Sequence, residues 1–314
     1  MNANTNLEQP EIFALAHGSW RASVSTLGAA LLDLRHISPD GRDLTVVTSE
    51  WPDAHEWFAG VALAPWVNRL DRGRWHHENH TLQAPLNDPR NDCANHGLAF
   101  DQVFTVKHHS PDSITLTLEL RHEAYPFDVE FALTYTLTNQ GLRGTLAATN
   151  RGGEAAPIAV GAHPYLLTEP GSRFEFTAGA RMNIDKRMLP TGDSQNFDGA
   201  TANQQILTDQ KAHFTDACFT ELDHDDSGKF VAGLTRPSHG QRILIWQQRE
   251  FSHLQVFTLM HPEIAGGHTL LALEPQTAGA NALSTGNDLI WIDANQAWQG
   301  TWGISIEEMS TDGN

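Results

Sequence analysis

Apolar and polar residues alternate along much of the chain with a period of two residues. In Ile114–Leu120 every second residue is apolar, and in Val129–Leu137 the odd-numbered residues are apolar or aromatic. This pattern puts one face of an extended strand in a core and the other face toward water. It therefore predicts two β-strands, and the link at residues 122–128 is typical of a hairpin connection.

Glycine, proline, asparagine and aspartate interrupt the chain at short intervals, and no long stretch has helical periodicity. This favours an all-β fold, a large antiparallel β-sandwich of many strands. The other runs with β-like character are Leu142–Thr149, Arg173–Thr177, Ile243–Trp246, Leu254–Leu259, Thr269–Leu273, Leu289–Ile292 and Thr301–Glu307. The polar stretch 192–210 predicts a long surface loop. Because no repeat or clear linker divides the chain, we expect residues 1–314 to form a single domain.

Charge and cysteine content narrow the classes of partner. The net charge of −18 repels phosphate backbones and anionic lipid heads, so we expect neither a nucleic acid nor a membrane partner. The two cysteines, Cys93 and Cys218, cannot form a disulfide framework, which favours a reducing compartment. We find no signal-peptide pattern and no apolar run long enough to span a bilayer. A cytoplasmic protein is the expectation.

Five ionisable residues stand out because they lie beside glycine or proline, at the ends of β-like runs or in loops. Such positions place side chains over a rigid sheet and commonly form pockets. Two imidazoles, two carboxylates and one guanidinium would supply a general acid, a general base and groups that bind hydroxyls. These residues are Arg69, His96, His163, Asp216 and Glu274.

Each of these residues alone also has a structural interpretation. His163 precedes a proline and could be an extended residue packed on a turn. Glu274 also precedes a proline and could end a strand with its carboxylate in water. The other three could serve in turns or in a surface ion pair. Only the joint pattern favours catalysis.

That joint pattern resembles the aldose 1-epimerase (galactose mutarotase) family. The motifs NRLDRGRW, NHGLAF, GAHPYL, LPTGD, TDACF, LQVFT, LALEPQ and GISIEE follow in the family's order through most of the chain. The NR-x-x-x-G, HPY and LEPQ elements are moderately specific together and weak singly. The resemblance implies a β-sandwich of the supersandwich type, a sugar site in an open cleft, and no metal or other cofactor.

The resemblance also implies roles for individual residues. By matching position, Glu274 would be the catalytic base and His163 the catalytic acid. His96 would hydrogen-bond the sugar near the reacting oxygens. The residues implied to hold ring hydroxyls or to line the site are Arg69, Asp216, Gln255, Asn68 and Tyr165.

The implied reaction interconverts the α and β anomers of a free hexose such as glucose or galactose. A base removes the proton of the C1 hydroxyl while an acid protonates the ring oxygen. The C1–O5 bond then breaks, the C1–C2 bond turns, and the ring closes from the other face. A carboxylate and an imidazolium on opposite sides of the C1–O5 unit would suffice, each contributing about 10²–10⁴-fold in rate. One of the nine tryptophans could supply an aromatic platform.

Two alternatives stay open at this point. A hexose-6-phosphate 1-epimerase would need a basic cluster beside the cleft. Phe100, where many relatives carry arginine, disfavours that reading, whereas Arg72 and Arg74 keep it open. A non-catalytic sugar-binding module would use the same hydroxyl-holding residues and would need neither the acid nor the base.

Two further motifs have simpler structural interpretations. His76, His77 and His80 could ligate a metal, but a polar hairpin explains their spacing better. The acidic segment 222–228 lacks the spaced ligands of a calcium loop, so we expect a solvated turn.

Overall fold

The computed structural model describes residues 9–197, 201–205, 216–260 and 269–308. Regular structure in these residues is almost entirely antiparallel β-strand, which confirms the predicted fold class. The strands before residue 125 are β1 (Ile12–His17), β2 (Trp20–Ser25), β3 (Leu31–Ile37), β4 (Asp43–Thr48), β5 (Ala62–Leu63), β6 (Arg69–Asp71), β7 (Arg74–His77), β8 (His80–Gln83), β9 (Cys93–Asn95), β10 (Thr105–Ser110) and β11 (Ser113–His122).

The strands from residue 125 onward include the longest of the fold. They are β12 (Tyr125–Thr138), β13 (Gly141–Asn150), β14 (Ala156–Ile158), β15 (Gly161–Ala162), β16 (Tyr165–Leu167), β17 (Arg173–Ile184), β18 (Pro190–Asn196), β19 (Thr201–Gln205), β20 (Asp216–Leu222), β21 (Lys229–Arg236), β22 (Gln241–Gln248), β23 (His253–Met260), β24 (Thr269–Gln276), β25 (Ile290–Ile292) and β26 (Ala297–Glu308). The helical segments are short: 3₁₀ turns at Ala54–Trp57 and Pro237–His239, and α1 (Ala282–Thr285).

The main strands form two layers that share one strand. The first layer runs β1-β2-β3-β4-β16-β24-β23-β20-β17-β18, and the second runs β10-β11-β12-β13-β26-β22-β21-β17-β19. The Arg173–Thr177 part of β17 pairs in the second layer, whereas its Ala178–Arg181 part pairs in the first. The long strand thus passes from one layer to the other.

The core lies between the layers. In β12 the odd-numbered residues from Tyr125 to Leu137 are buried and the intervening residues are more exposed, as the alternation predicts. One hydrophobic cluster includes Leu34 and Val256 of the first layer with Phe131 and Ile245 of the second. The predicted sandwich follows from burying the apolar faces of both layers against each other.

Two sequence-based expectations about the fold need correction. The hairpin link at 122–128 is shorter, because His122 already pairs with Tyr125. The predicted loop at 192–210 contains strand β18 and, in the described residues 201–205, strand β19, while residues 198–200 and 206–210 lie outside the described residues. Strand β18 is exposed along nearly all its length, so it has no apolar alternation that would have revealed it.

The other two motifs have the expected local structure. Strands β7 and β8, which contain the three histidines of the 76–80 region, pair as a hairpin with His77 opposite His80. The acidic segment after β20 forms a turn in which Asp225 accepts hydrogen bonds from the backbone N–H groups of Ser227 and Lys229. In the described part of the chain, no helix combines the length and apolar character that crossing a membrane requires.

Candidate active site

One face of the first layer gathers four of the predicted site residues. Gln255 on β23 lies directly opposite Glu274 on β24, and Asp216 on β20 lies opposite Phe257 on β23. Directly opposed residues, and residues two apart on one strand, share a face of the sheet. Tyr165 on β16, the other neighbour of β24, is in register with that face. These four side chains therefore lie together on one wall of the site, which we call the sheet wall.

The opposite wall of the site, the loop wall, consists of loops and the ends of short strands. Arg69 begins β6, which pairs with β9, and His96 follows β9 directly. Asn68 and His96 both have left-handed backbone conformations, with φ of 52° and 62°. Gly97 allows this path because a Cβ there would lie 2.0 Å from the carbonyl oxygen of Ala64. Uncommon backbone geometry of this kind persists only where surrounding contacts fix it.

The two walls enclose a cleft of about 330 Å³. That volume is at the small end of the range of about 300–1,000 Å³ that is usual for ligand pockets, which suits a small ligand. All eight site residues predicted from the sequence line it, namely Asn68, Arg69, His96, His163, Tyr165, Asp216, Gln255 and Glu274.

An imidazole and a carboxylate meet at the base of the cleft. The Nε2 atom of His163 lies 3.4 Å from Oε1 of Glu274, and the side chains are only 4% and 2% exposed. The other carboxylate oxygen, Oε2, accepts a hydrogen bond of 2.8 Å from Nε2 of Gln276. Strand β24 continues through Pro275 to Gln276 and is buried at every position. The alternative in which Glu274 ends a strand in water is therefore wrong.

Burial shifts the pKa values of these groups in opposite directions. It lowers the pKa of His163 to about 3. It raises the pKa of Glu274 well above its usual value; Asp216 adds to this rise, while the Gln276 hydrogen bond and Arg69 oppose it. Desolvation penalises the charged form of each group. When the pair holds one proton, the neutral arrangement, with the proton on Glu274, is therefore favoured.

His96 differs from His163 in how its ring is held. Its Nδ1 atom accepts a hydrogen bond of 3.3 Å from the backbone N–H of Asn68. The backbone N–H of His96 donates in turn to the Asn68 carbonyl at 3.0 Å. Burial, with the nearby His163 and Arg69, holds the pKa of His96 well below its usual value. In a neutral ring with Nδ1 as acceptor, Nε2 carries the hydrogen. His96 is thus suited to donating a hydrogen bond and not to carrying charge.

A line of polar contacts crosses from the loop wall to the sheet wall. The Nε atom of Arg69 donates to Asp88 at 2.9 Å, and its Nη1 lies 3.6 Å from Asp216. The Asp216 carboxylate accepts a hydrogen bond of 2.5 Å from Gln255 Nε2, and burial raises the pKa of Asp216. Within the described residues, Oε1 of Gln255 has no hydrogen-bond partner. These contacts fix the orientations of three groups that can bind hydroxyls.

Aromatic side chains border the cleft near its mouth. Trp57, at the end of the 3₁₀ turn, is 37% exposed and its ring stacks on Phe257 with centroids 6.2 Å apart. The hydroxyl of Tyr165 donates to the backbone carbonyl of Trp57 at 3.1 Å. A partly exposed, flat apolar surface is therefore held at a fixed position beside the polar groups.

Among the residues that the structure describes, two groups of side chains have the spacing of metal ligands. The donor atoms of His96, His163 and Glu274 lie within 4.8 Å of one another, as do those of His77, Glu78 and Glu154. For the first group, coordination through His96 Nε2 would require a hydrogen on Nδ1, which faces a backbone donor. The arrangement fits hydrogen bonding better than a metal. The second group contains His77 and two glutamates, so His76 and His80 do not belong to it.

Sequence reasoning missed several residues at this site. Gln276 follows Glu274 by two positions, so strand alternation could have placed it on the same face. Asp88 lies 19 residues from Arg69 in a segment without β-like periodicity, and no local pattern reveals that contact. The exposed face of Trp57 depends on the 3₁₀ turn, which the sequence analysis did not identify.

Comparisons with known proteins place the chain in a family. The sequence profile of the family described as Aldose 1-epimerase matches residues 11–305. The uncharacterized protein YihR of Escherichia coli strain K12 is 27% identical over 297 residues, which cover 90% of this chain and 89% of that protein.

Solved structures agree with this at the level of the fold. A GalM/aldose epimerase homologue from C. elegans superposes with a TM-score of 0.80 at 16% identity, covering 96% of this chain and all of that chain. A galactose mutarotase-like protein from Clostridium acetobutylicum gives a TM-score of 0.76 at 20% identity, covering 96% and 99%. The fold is therefore the galactose mutarotase-like sandwich, and the chain belongs to the aldose 1-epimerase family.

Proposed function

We propose that the protein is a cofactor-independent mutarotase that interconverts the α and β anomers of an unphosphorylated hexose such as glucose or galactose. The observation that carries the proposal is the buried pair in the cleft, His163 Nε2 and Glu274 Oε1, only 3.4 Å apart. A pocket built only to bind a neutral sugar gains nothing from burying an acid and a base together, since burying a charge is costly. Acid–base catalysis requires such a pair.

In the proposed reaction, Glu274 Oε1 takes the proton of the C1 hydroxyl as the Nε2–H group of His163 protonates the ring oxygen O5. The electron pair of the O1–H bond forms the C1=O1 double bond, and the pair of the C1–O5 bond stays on O5. After rotation about C1–C2, each proton returns by the reverse path and the ring closes on the other face. Atoms and charge balance within the enzyme and the sugar.

The short distance changes the expected arrangement of the two groups. A gap of 3.4 Å leaves no room for a pyranose ring between them, so they do not flank the sugar on opposite sides. We place both along the edge formed by O1 and O5, which are bonded to the same carbon. Each catalytic atom can then reach its own oxygen within hydrogen-bond distance.

The working protonation state is an ionised Glu274 beside a protonated His163. Burial favours the opposite arrangement of the single proton, because it raises the pKa of Glu274 and lowers that of His163 to about 3. Both arrangements carry one proton, so pH does not change their ratio. We therefore expect a broad bell-shaped pH profile, with a minor fraction of the enzyme in the working state across it.

The remaining groups suit recognition of a neutral sugar. Arg69, Asp216 and Gln255 would hold ring hydroxyls through forked hydrogen bonds, and His96 would donate from Nε2 to an oxygen near C1. The exposed face of Trp57 would pack against the apolar face of the ring. Asn68 supports this set because its Oδ1 accepts a hydrogen bond of 2.8 Å from the Arg69 backbone.

The charges of the cleft favour an unphosphorylated substrate. Arg72 lies beside Asp71 and Asp92, and Arg74 donates to Gln83, so both arginines are engaged outside the cleft. The carboxylates that line the cleft outnumber the guanidinium groups. They are Glu56, Asp88 and Asp216, against Arg69 and Arg90, and the pair of Glu274 and His163 with its one proton has no net charge. An acidic lining repels a phosphate dianion.

Arg90 is the residue that could bind the phosphate of a hexose 6-phosphate, so this alternative needs its own test. It lines the cleft and is exposed. Replacing it with alanine should leave the rate on glucose within about threefold, since a rim charge contributes little to binding a neutral ligand. If the natural substrate were a 6-phosphate, the variant would lose most of its rate on that sugar.

We also propose that residues 1–314 fold as one domain and that the protein acts in the cytoplasm without a nucleic-acid or membrane partner. The net charge of −18 supports the absence of polyanionic partners.

Polarimetry on freshly dissolved α-glucose and α-galactose tests the proposed activity directly. Acceleration above buffer with either sugar supports it, and no acceleration with both would remove it for the common hexoses. A parallel assay with glucose 6-phosphate distinguishes the phosphate alternative. Saturable binding of sugar in calorimetry without catalysed mutarotation would instead favour a binding module.

A further inference from the structure

Gln276 is buried beside the candidate base, and the mechanism described above does not use it. Its side chain is fully buried, and its Nε2 atom donates to Oε2 of Glu274 at 2.8 Å. Its own Oε1 is buried and has no hydrogen-bond partner among the described residues. A buried, half-satisfied amide costs stability. The hydrogen bond to Glu274 suggests a functional reason for keeping an amide at this position.

The strand geometry fixes Gln276 in that place. It follows Glu274 by two residues on β24, so both side chains share one face, and it lies opposite His253 on β23. Gly161, on the other side, leaves room, because a Cβ there would lie 3.1 Å from Cγ of Gln276 and 2.7 Å from the Pro275 carbonyl oxygen. The amide is thus held by packing and does not depend on a flexible contact.

The hydrogen bond from Gln276 gives the two carboxylate oxygens of Glu274 different contacts. Because Oε2 is engaged by Gln276, Oε1 is the atom left to face His163 and the cleft. An amide N–H stabilises a carboxylate more than a carboxylic acid. The contact therefore favours transfer of the shared proton toward His163, which is the arrangement that the proposed reaction needs.

We propose that Gln276 is a positioning residue that orients Glu274 and raises the fraction of the pair in its working protonation state. The inference rests on the proposed mutarotase function. Other titratable groups also face this region from the neighbouring elements, and they are unchanged in the variants below: Arg69, His96, His163, Tyr165, Asp216, Cys218 and His253.

The test is the pH dependence of mutarotation in Gln276→Met, which keeps a linear side chain and removes the donor. Without the hydrogen bond, Glu274 should hold its proton more tightly. The alkaline limb of kcat/KM should then move up by about one pH unit, and kcat should fall by about tenfold at neutral pH. KM should change by less than about threefold, because the sugar-binding groups are untouched.

Gln247→Met is the matched control. Gln247 is also fully buried on β22, and its Nε2 donates to the backbone carbonyls of Phe251 and His253 and not to Glu274. This variant should lose stability without moving the alkaline limb. Gln276→Leu, which also removes the donor and adds no titratable group, is a second variant expected to move the limb upward if Gln276→Met does not fold.

The outcomes separate this inference from the proposed function. If the alkaline limb of the Gln276 variants stays within about 0.2 units of wild type and kcat falls no more than in Gln247→Met, Gln276 only packs. A downward shift would mean that the amide accepts a hydrogen bond from the protonated carboxyl, and it also overturns the assignment. Wild-type protein without any mutarotase activity would instead refute the proposed function.

Discussion

The two walls of the cleft are built in different ways. The sheet wall carries Asp216, Gln255 and Glu274 on three adjacent strands whose register fixes their spacing. The loop wall carries Arg69 and His96 at strand ends, next to backbone in left-handed conformation. The sheet wall holds the group that would move a proton in a rigid, buried setting. The loop wall would supply recognition from positions that depend on side-chain contacts.

From this difference between the two walls we expect substitutions in the cleft to differ in their effects on kcat and KM. Changes to the buried acid–base pair should reduce kcat most, because these groups act only at the reacting bond. Changes to the loop wall should act mainly on KM, because its proposed contacts would hold hydroxyls equally in the ground state and the transition state.

The largest effect is expected for the proposed acid, His163, which lies between β15 and β16 and contacts Glu274. His163→Gln should lower kcat by about 10²–10⁴-fold while KM changes little. Polarimetry at saturating sugar measures this loss. The control is His36→Gln, since His36 packs on Trp20 with ring centroids 4.7 Å apart, away from the cleft. Equal, small losses in both variants would remove His163 from the mechanism.

A smaller effect is expected on the loop wall from Asp88→Asn. This change weakens the 2.9 Å contact that holds the Arg69 guanidinium, so KM should rise by about tenfold and kcat should fall less. Initial rates across a range of sugar concentrations give both parameters.

Asp71→Asn is the matched control for Asp88. Asp71 lies on the same strand as Arg69 and is 2.7 Å from Arg187. It should leave KM near the wild-type value. If Asp71→Asn raises KM as much as Asp88→Asn does, the contact between Asp88 and Arg69 has no specific role in binding.

The smallest effect concerns stability and its dependence on pH. The pKa of Glu274 is raised by burial, so the stability that its neutral form contributes is present below the unfolded pKa of 4.5 and is lost as pH rises toward the folded pKa. Glu274→Gln removes this loss. In urea denaturation, the wild type and the variant should have similar free energies of unfolding near pH 4. At higher pH the variant should become the more stable of the two, and the difference should grow by up to about 1.4 kcal/mol per pH unit. A constant difference across pH would contradict the burial argument.

The strands of the second layer follow from sequence more directly than the site does. Alternation in β11, β12 and β13 marks their positions because one face of each strand meets the core. Strand β24 has no alternation because both of its faces are buried, so its continuation through Pro275 was not expected. Strand β18 is exposed on both faces and gives no signal for the opposite reason.

Five of the site residues stood out as ionisable groups beside glycine or proline. The family motifs supplied their roles and the other three residues, and periodicity identified none of them. Neither spacing nor composition brings Glu274 to His163, since that contact depends on two elements packing across the sheet. Asp88 and Trp57 were missed because their contributions come from loop geometry that no local pattern encodes. Close packing, which the sequence specifies only collectively, determines such contacts.

The central claim is that Glu274 removes the proton of the anomeric hydroxyl. The most direct test is the rate of mutarotation by Glu274→Gln at neutral pH, with sugar affinity measured on the same sample by calorimetry. The account predicts a loss of about 10²–10⁴-fold in kcat with sugar binding retained. A variant that binds sugar and keeps kcat within about threefold of wild type would contradict it.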